Sequence, residues 1–190
     1  MDIKEVAANL ARYWISENAI IIDTETTGLG DTDEIIEISA IDCNGNLLID
    51  QLVKPTVPII QEAQAVHGIS QADLASAPEF RHLMPALCRL LRNRQVVTYN
   101  AEFDLRMMRQ SASAWGWQLP KVSAHCAMLQ YAKFYGEWNP NRNAWRWQSL
   151  AKAAEQQGIQ VHGDAHRALT DCQTTLAVIQ AMANYRPEAA

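Results

Sequence analysis

Two carboxylates stand two residues apart at the end of a strongly apolar run, residues 19–22, which is typical of a buried strand. Because side chains alternate between the two faces of a strand, Asp23 and Glu25 project from the same face. Neighbouring carboxylates repel each other unless a cation lies between them, and their oxygens suit hard ions such as magnesium or manganese. The pair is therefore a candidate metal site, although the same spacing also occurs at solvated strand ends.

Two further segments carry the same kind of side chain. Asp104 lies in the first turns of an expected helix that directly follows a strand, where open α/β sheets usually bind their ligands. An acidic residue there can also serve only the helix dipole. His166 and Asp171 are five residues apart near the start of the last expected helix. They converge only if His166 lies in the loop or first turn and Asp171 faces the sheet, and a histidine there is otherwise a surface or capping residue.

Hydrophobic patterns predict the strands that position these residues. The expected strands cover residues 19–25, 34–43, 46–54, 95–99 and 122–126. Asn44 and Gly45 supply a tight hairpin turn between the second and third strands, so the first three strands should form an antiparallel meander. The remaining pattern changes to an alternation of strands and helices.

Helical periodicity and capping residues predict the helices that flank the sheet. Ser70 and Asp73 have the form of a capping box that starts a short helix, and Asn100 is expected to cap the helix that contains Asp104. The other expected helices cover residues 2–18, 78–94, 127–135, 148–157 and 165–185. The predicted architecture is α/β, with a mixed sheet flanked by helices.

Size and composition favour a single domain, residues 1–190, with residues 1–18 as an N-terminal helical extension. The acidic start does not resemble a signal peptide and no run is long enough for a membrane span, so we expect an unanchored cytoplasmic protein. The four cysteines form no CxxC pair, which argues against a zinc knuckle or a disulfide framework. The net charge of −5 means that any nucleic acid must be held by a local site.

Taken together, the motifs form an ordered set that resembles the DEDDh exonucleases. The set comprises Asp23-Thr-Glu25-Thr-Thr-Gly28, Asn100-x-x-Phe103-Asp104 and His166-x-Ala168-x-x-Asp171. The family includes the proofreading subunit of bacterial replicative polymerase and related stand-alone nucleases. The resemblance extends from about residue 20 to residue 179, and the order and spacing make it specific although each motif alone is weak.

The resemblance implies a ribonuclease H-like fold with a five-stranded mixed sheet. It also implies an enzyme that removes nucleoside 5′-monophosphates from a 3′ end with two magnesium or manganese ions. The implied metal ligands are Asp23, Glu25, Asp104 and Asp171, and the implied general base is His166. All five are counted as catalytic residues.

The same resemblance assigns substrate contacts. The turn of Thr26, Thr27, Gly28 and Leu29 is expected to contact the terminal nucleotide, and His67 to lie on the lip of the groove. His67 could instead cap a local turn. Further substrate residues are expected within the second motif and in an aromatic, arginine-containing segment that could stack on bases: Asn100, Phe103, Arg142, Trp145 and Arg146. For Trp147, packing against the protein is favoured over substrate contact.

Several functions remain open at this point. Single-stranded DNA is the favoured substrate, because an acidic protein should bind nucleic acid only modestly. The alternatives are an RNA exonuclease, a proofreading subunit of a polymerase and a non-catalytic nucleic-acid-binding module. The sequence indicates no membrane contact and does not specify a protein partner or an oligomeric state.

Overall fold

Five strands form one mixed sheet in the computed structural model, which describes residues 2–187. Their order across the sheet is β3-β2-β1-β4-β5. The first three strands pair antiparallel, whereas β4 is parallel to both β1 and β5. The strands are β1 (Ile20–Thr26), β2 (Ile35–Asp42), β3 (Leu47–Leu52), β4 (Gln95–Thr98) and β5 (Ser123–Cys126). The predicted antiparallel meander and mixed sheet are confirmed.

Seven helices occur in the described residues, and a small separate hairpin lies beyond α5. The helices are α1 (Ile3–Ser16), α2 (Gln61–His67), α3 (Phe80–Leu91), α4 (Ala101–Ser113), α5 (Ala127–Tyr135), α6 (Leu150–Gln156) and α7 (Ala168–Asn184). The hairpin pairs β6 (Trp138–Asn139) with β7 (Ala144–Trp145). Helices α1 and α7 pack against each other, and α7 also lies on β1 and β2. The expected segment before the first strand is therefore helical.

The alternation of side chains along β1 divides the core between the two faces of the sheet. Ile21 faces a cluster that includes Cys172 and Ile179 of α7, and this cluster also receives the apolar face of α1. Ile20 and Ile22 face the opposite cluster, formed with α3 and α4. Burial on both faces explains the unbroken isoleucine run, because a strand covered on both sides needs no polar residues.

Two local predictions were wrong, and two short elements were not predicted. The segment that starts at Ser70 forms consecutive turns rather than a helix, although the capping-box bonds are made: the Ser70 hydroxyl and amide both donate to the Asp73 carboxylate. Helix α2 and the β6–β7 hairpin were not predicted. Asn100 occupies the N-cap position of α4 but makes no capping hydrogen bond with its side chain. The local bonds at Ser70 are compatible with a turn as well as a helix start, so they did not decide between the two.

Other sequence expectations concern the whole chain. Among residues 2–187, no helix combines the length and apolarity that crossing a bilayer requires. All four cysteines are free thiols, in agreement with the absence of a disulfide framework. The single domain over residues 1–190 stays a prediction, and residue 1 and residues 188–190 lie outside the described part of the chain.

Candidate active site

The central strand β1 presents two carboxylates on the face that α7 covers. Asp23 and Glu25 are both half-buried, and they alternate with Thr24 and Thr26, which are buried on the other side of the strand. Strand β2 pairs with β1 along its whole length, but β4 pairs with it only at Ile20 and Ile21. The edge of β1 beyond these residues is therefore free of a neighbouring strand on one side.

Helix α7 brings a third carboxylate to this pair. Asp171 lies in its first turn, and the next residue, Cys172, is fully buried with its thiol directed at the backbone oxygens of Ile21 and Ser39. This contact holds the start of α7 against β1 and β2. As a result, Asp23, Glu25 and Asp171 each offer an oxygen, and these oxygens all lie within 4.8 Å of one another.

Asp104 reaches the same region from the other face of the sheet. It is 3% exposed in the first turn of α4, and its Oδ1 accepts a hydrogen bond of 2.8 Å from the hydroxyl of Thr24. Since β4 leaves the end of β1 unpaired, α4 can approach Asp23 there, and the charge of Asp104 helps to raise the pKa of Asp23. Asp104 nevertheless stands outside the group of three convergent carboxylates.

The pKa values of the three convergent side chains are all raised, so the folded site disfavours their charged forms. Burial, together with the charges of the neighbouring acidic groups, raises the pKa of Glu25 to about 8. Burial also raises the pKa of Asp23 well above its ordinary value, and that of Asp171 in the same direction. Carboxylates forced together in this way are stabilised by a bound cation.

The donor set fits a hard divalent ion. Only carboxylate oxygens converge, from Asp23, Glu25 and Asp171, and no histidine nitrogen or cysteine sulfur belongs to that group. Magnesium and manganese prefer such oxygen ligands, whereas zinc sites commonly contain nitrogen or sulfur. The guanidinium of Arg167 is bound to another carboxylate, that of Glu37, and its charge lowers the pKa of Glu25 by less than burial and the acidic groups raise it.

His166 lies in the loop just before α7, which is the placement that its convergence with Asp171 requires. Its side chain is exposed and lies outside the group of three convergent carboxylates, and its charge offsets part of the rise that burial causes in the pKa of Asp171. The backbone of His166 has φ +59°, a left-handed conformation that costs a non-glycine residue free energy unless its surroundings hold it.

Arg167 and Glu37 supply that restraint, and sequence reasoning missed both residues. Glu37, 3% exposed, lies opposite Glu25 on β2. Its carboxylate accepts two bonds from the Nε of Arg167, at 3.0 and 3.1 Å, and one of 2.9 Å from the amide of Ala168. The carboxylate therefore caps α7 from the sheet and fixes the segment that carries His166. The signal for Glu37 in the sequence was an acidic residue between two isoleucines in the interior of β2.

Comparison with known proteins identifies the family to which the chain belongs. Residues 20–179 match the family model RNase_T, whose description is Exonuclease. The chain belongs to this exonuclease family. An uncharacterized exonuclease, CP81, of Escherichia phage 186 is 42% identical over 181 residues, which cover 91% of this chain and 92% of that protein. The DNA polymerase III subunit epsilon of Escherichia coli is 30% identical over 117 residues, 56% of this chain and 48% of that subunit.

Solved structures agree with the family. Exonuclease X, in complex with 5′ overhanging duplex DNA, superimposes with a TM-score of 0.63 at 28% identity, covering 86% of this chain and 90% of that chain. The nuclease domain of 3′hExo, a DEDDh family member bound to rAMP, superimposes with a TM-score of 0.65 at 16% identity, covering 85% and 89%, and this likeness concerns the fold alone. The DEDDh resemblance and the ribonuclease H-like fold are confirmed.

The family membership also establishes the class of reaction. The chain is a nuclease, a hydrolase of phosphodiester bonds, and divalent-metal dependence is typical of its family. Its substrate is therefore a nucleic acid. The three convergent carboxylates are the candidate metal-binding group of this exonuclease.

The turn that follows β1 is held by hydrogen bonds from its own threonine side chains. The Thr26 hydroxyl donates to the carbonyl of Gly28 at 2.7 Å, and the Thr27 hydroxyl donates to the carboxylate of Asp33 at 2.6 Å. A Cβ on Gly28 would lie 2.6 Å from that carboxylate, so only glycine fits. Leu29, by contrast, is 74% exposed. The threonine side chains serve the turn itself, and the backbone and Leu29 remain for other contacts.

The remaining residues expected to contact the substrate differ in their exposure to solvent. His67 ends α2 and is 6% exposed, and its Nδ1 accepts the amide hydrogen of Ile69 at 3.0 Å. It therefore caps a local turn, which was the alternative considered for it. Asn100 is exposed, whereas Phe103 is half-buried against the cluster under α4.

The β6–β7 hairpin contains the tryptophans and arginines singled out in the sequence. Trp138 and Trp145 pack edge to face with ring centroids 5.1 Å apart, and Arg146 pairs with Glu137 at 3.2 Å. Trp147 is 54% exposed, so the prediction that it packs against the protein was wrong. The chain turns outward at Trp147 before the buried Gln148 anchors it.

One hydrogen bond attaches the chain just after this hairpin to the end of the sheet. The hydroxyl of Tyr99 donates to the carbonyl of Gln148 at 2.9 Å, and Tyr99 immediately follows β4. The hairpin is therefore attached at the end of the sheet where α4 presents Asp104. Arg142, Trp145 and Arg146 lie in this region, with Arg142 and Arg146 exposed and Trp145 half-buried.

Proposed function

We propose that this exonuclease removes nucleotides one at a time from the 3′ end of single-stranded DNA and releases nucleoside 5′-monophosphates. One observation carries the proposal: carboxylate oxygens of Asp23, Glu25 and Asp171 converge within 4.8 Å beside the loop that carries His166. A site of this kind combines a place for hard cations with a group that can accept a proton at neutral pH.

The four acidic side chains hold two magnesium or manganese ions in this proposal. Asp23, Glu25 and Asp171 form the convergent group, and Asp104 extends it from the opposite face of β1. Divalent ions bound there would polarise the scissile phosphate, activate water and neutralise the charge of the departing 3′ oxygen. Thr24 orients Asp104 by donating its hydroxyl hydrogen to Oδ1.

His166 acts as the general base. Its ring is exposed to solvent next to Asp171, so it can take a proton from the attacking water and return it to bulk solvent. The bonds of Arg167 and Ala168 to Glu37 keep the neighbouring backbone in place, and His166 therefore need not search for its position in each cycle.

Single-stranded substrate is supported by the aromatic surface beside the site. Trp138 and Trp147 are 45% and 54% exposed, and exposed Arg142 accompanies them. Aromatic rings stack on unpaired bases without regard to sequence, at roughly 1–3 kcal/mol per base. Leu29 offers a separate apolar contact for the terminal base. With a net charge of −5, stacking rather than charge is expected to provide much of the affinity.

Digestion of 5′-labelled oligonucleotides tests the proposal. Matched DNA and RNA substrates, single- and double-stranded, are incubated with magnesium, manganese or a chelator. We expect a metal-dependent ladder that shortens from the 3′ end, with single-stranded DNA degraded fastest. Asp104→Ala should abolish or severely slow the ladder. Glu102→Ala is the matched control, because Glu102 is an exposed acidic residue on the same helix, and it should retain activity.

The other outcomes discriminate among the alternatives. Faster degradation of RNA would make the protein a ribonuclease, and no cleavage of any substrate would favour a non-catalytic binding module. Activity of the Asp104→Ala protein comparable to that of the Glu102→Ala protein would overturn the assignment of Asp104. Robust degradation by the isolated chain would show that cleavage needs no polymerase partner.

A further inference from the structure

The loop that carries Leu29 is held by side chains from α4 that the catalytic site does not use. Arg106 donates from Nη2 to the carbonyl of Leu29 at 3.2 Å and from Nη1 to the carbonyl of Gly30 at 3.1 Å. Gln110, one helical turn later, donates from Nε2 to the carbonyl of Gly30 at 3.1 Å and to that of Asp33 at 2.9 Å. The Nη1 of Arg106 also donates to Oε1 of Gln110 at 3.0 Å, so the two side chains act together.

The same guanidinium reaches the second apolar side chain of the groove. Its carbon lies 5.5 Å from the centre of the Phe103 ring, a distance at which a cation and an aromatic face attract each other. Arg106 thus links the backbone of an exposed apolar residue, Leu29, to a half-buried aromatic one. These two residues lie on different elements, the turn after β1 and the first turn of α4, and Asp104 adjoins Phe103.

The other bonds of the loop do not involve the carbonyl of Leu29. The carboxylate of Asp33 accepts bonds from the Thr27 hydroxyl and the Gly30 amide, and the Asp33 amide donates to the carbonyl of Gly30 at 3.4 Å. Among the described residues, the carbonyl of Leu29 accepts a bond only from Arg106. An exposed leucine on an untethered backbone would lose conformational entropy on contact with a base, and a tethered one loses less.

We propose that Arg106 is a positioning residue that holds Leu29 and Phe103 as one preformed contact for the terminal nucleoside of the substrate. The proposal rests on the proposed exonuclease function and concerns how a single-stranded 3′ end is gripped. Arg106 acts through Leu29 and Phe103 rather than on the reacting atoms. Its loss should therefore weaken substrate binding and leave the chemical step largely intact.

Steady-state kinetics on a short single-stranded DNA test the proposal with Arg106→Met, which keeps an apolar stem and removes the donors. We expect KM to rise about fivefold to tenfold, as for the loss of one or two hydrogen bonds, with kcat within about twofold. The matched control is Arg109→Met. Arg109 lies on the same helix, and its exposed side chain forms no hydrogen bond or ion pair with the described residues, 2–187. It should leave KM nearly unchanged.

Equal increases of KM in the two variants would mean that cationic charge attracts the substrate, and the positioning role would be wrong. A fall in kcat with an unchanged KM would also overturn it. A double variant with Leu29→Ala sharpens the test, because residues that act through each other are not additive. We expect the double variant Leu29→Ala with Arg106→Met to raise KM by less than the product of the two single effects, because part of the Arg106 effect passes through Leu29, and full additivity would contradict the proposal.

Hydrogen exchange separates failure of this proposal from failure of the proposed function. Amides of the 28–33 loop should exchange faster in Arg106→Met than in Arg109→Met, whether or not any oligonucleotide is cleaved. Equal exchange in the two proteins would show that Arg106 does not hold the loop. A wild-type protein without nuclease activity would instead overturn the proposed function, and the exchange result would still decide the role of Arg106 in fixing Leu29.

Discussion

The carboxylate cluster and the β6–β7 hairpin flank the same end of the sheet but are built differently. Asp23 and Glu25 lie on the central strand, which is hydrogen-bonded to β2 over its whole length and covered by α7. The hairpin pairs only two residues in each strand and exposes Trp138 and Trp147. In the proposed function, the core carries the catalytic groups, which need accurate placement, and the periphery carries the contacts to bases.

His166 combines the exposure of the hairpin with the fixed backbone of the carboxylate cluster. Its side chain is exposed, like those of Trp138 and Trp147, yet its backbone has a left-handed conformation next to the ion pair between Arg167 and the buried carboxylate of Glu37. Arg167 and Ala168 both bind Glu37, which is part of the sheet. An exposed loop residue is thereby held in a fixed position by the sheet. We therefore expect substitution of His166 to lower kcat, as a defect in the carboxylate cluster would, and not to weaken binding, as a defect in the hairpin would.

The largest effect should come from His166→Ala. Removal of a general base typically costs about 10²–10⁴-fold in rate. We expect a loss of this size in kcat, with KM for single-stranded DNA changed little, because the ring is proposed to act on water and not on bases. The measurement is single-turnover and steady-state cleavage of a labelled oligonucleotide. If His166→Ala retained more than a tenth of the wild-type kcat, His166 would not be the general base, and its role would be no more than that of a peripheral binding residue.

A smaller effect is expected from Arg167→Met, which removes the bonds to Glu37 without altering His166. Partners that orient catalytic groups typically contribute about 10–100-fold. We expect kcat to fall by this factor, and combination with His166→Ala to add little further loss. Lys152→Met is a suitable control, since Lys152 is exposed on α6 and its removal also takes away one positive charge. Full additivity of Arg167→Met and His166→Ala would show that Arg167 does not act through His166.

Trp147→Ala should have a binding effect only. If one base stacks on this ring, about 1 kcal/mol is lost, and the Kd for single-stranded DNA rises roughly fivefold with kcat unchanged. Fluorescence titration with an oligonucleotide measures it, with Trp117→Ala as a control at another exposed tryptophan, which lies after α4. The same loss of affinity in both variants would mean that the hairpin has no special part in binding.

The smallest effect concerns stability of the metal-free protein. Burial raises the pKa of Glu25 from 4.5 to about 8, so the folded state retains a proton that the unfolded chain releases. The stability that protonated Glu25 contributes to the folded state is fully present below about pH 4.5 and is lost as the pH rises through about 8. Glu25→Gln should therefore raise Tm at pH 8, and each 1 kcal/mol corresponds to about 2–4 °C in a domain of this size.

Thermal melts between pH 5 and pH 8 in chelator check this expectation. Magnesium should raise the Tm of the wild-type protein more than that of Glu25→Gln, because the ion relieves repulsion that the amide lacks. Glu102→Gln, at an exposed position, should melt as the wild type does. A Glu25→Gln protein whose Tm falls with pH as steeply as the wild type would contradict the link between the cluster and stability.

Much of the fold could be predicted from local patterns. The isoleucine run and the Asn44–Gly45 turn predicted the meander, because side-chain alternation and turn geometry act within a few residues. The turn at Ser70, helix α2 and the small hairpin could not be predicted in the same way. Each is a short element with little amphipathic pattern, and such elements take their structure from the surfaces on which they lie.

Sequence by itself determined which chemistry the protein carries and part of its placement: Asp23 and Glu25 share a face because a strand has a period of two. Only the tertiary structure decided that Asp104 approaches from the opposite face, past the short β4. It also decided that Arg167 binds Glu37, 130 residues away, and that Trp147 faces solvent. These features depend on how helices pack against the sheet, and no local backbone preference specifies that packing.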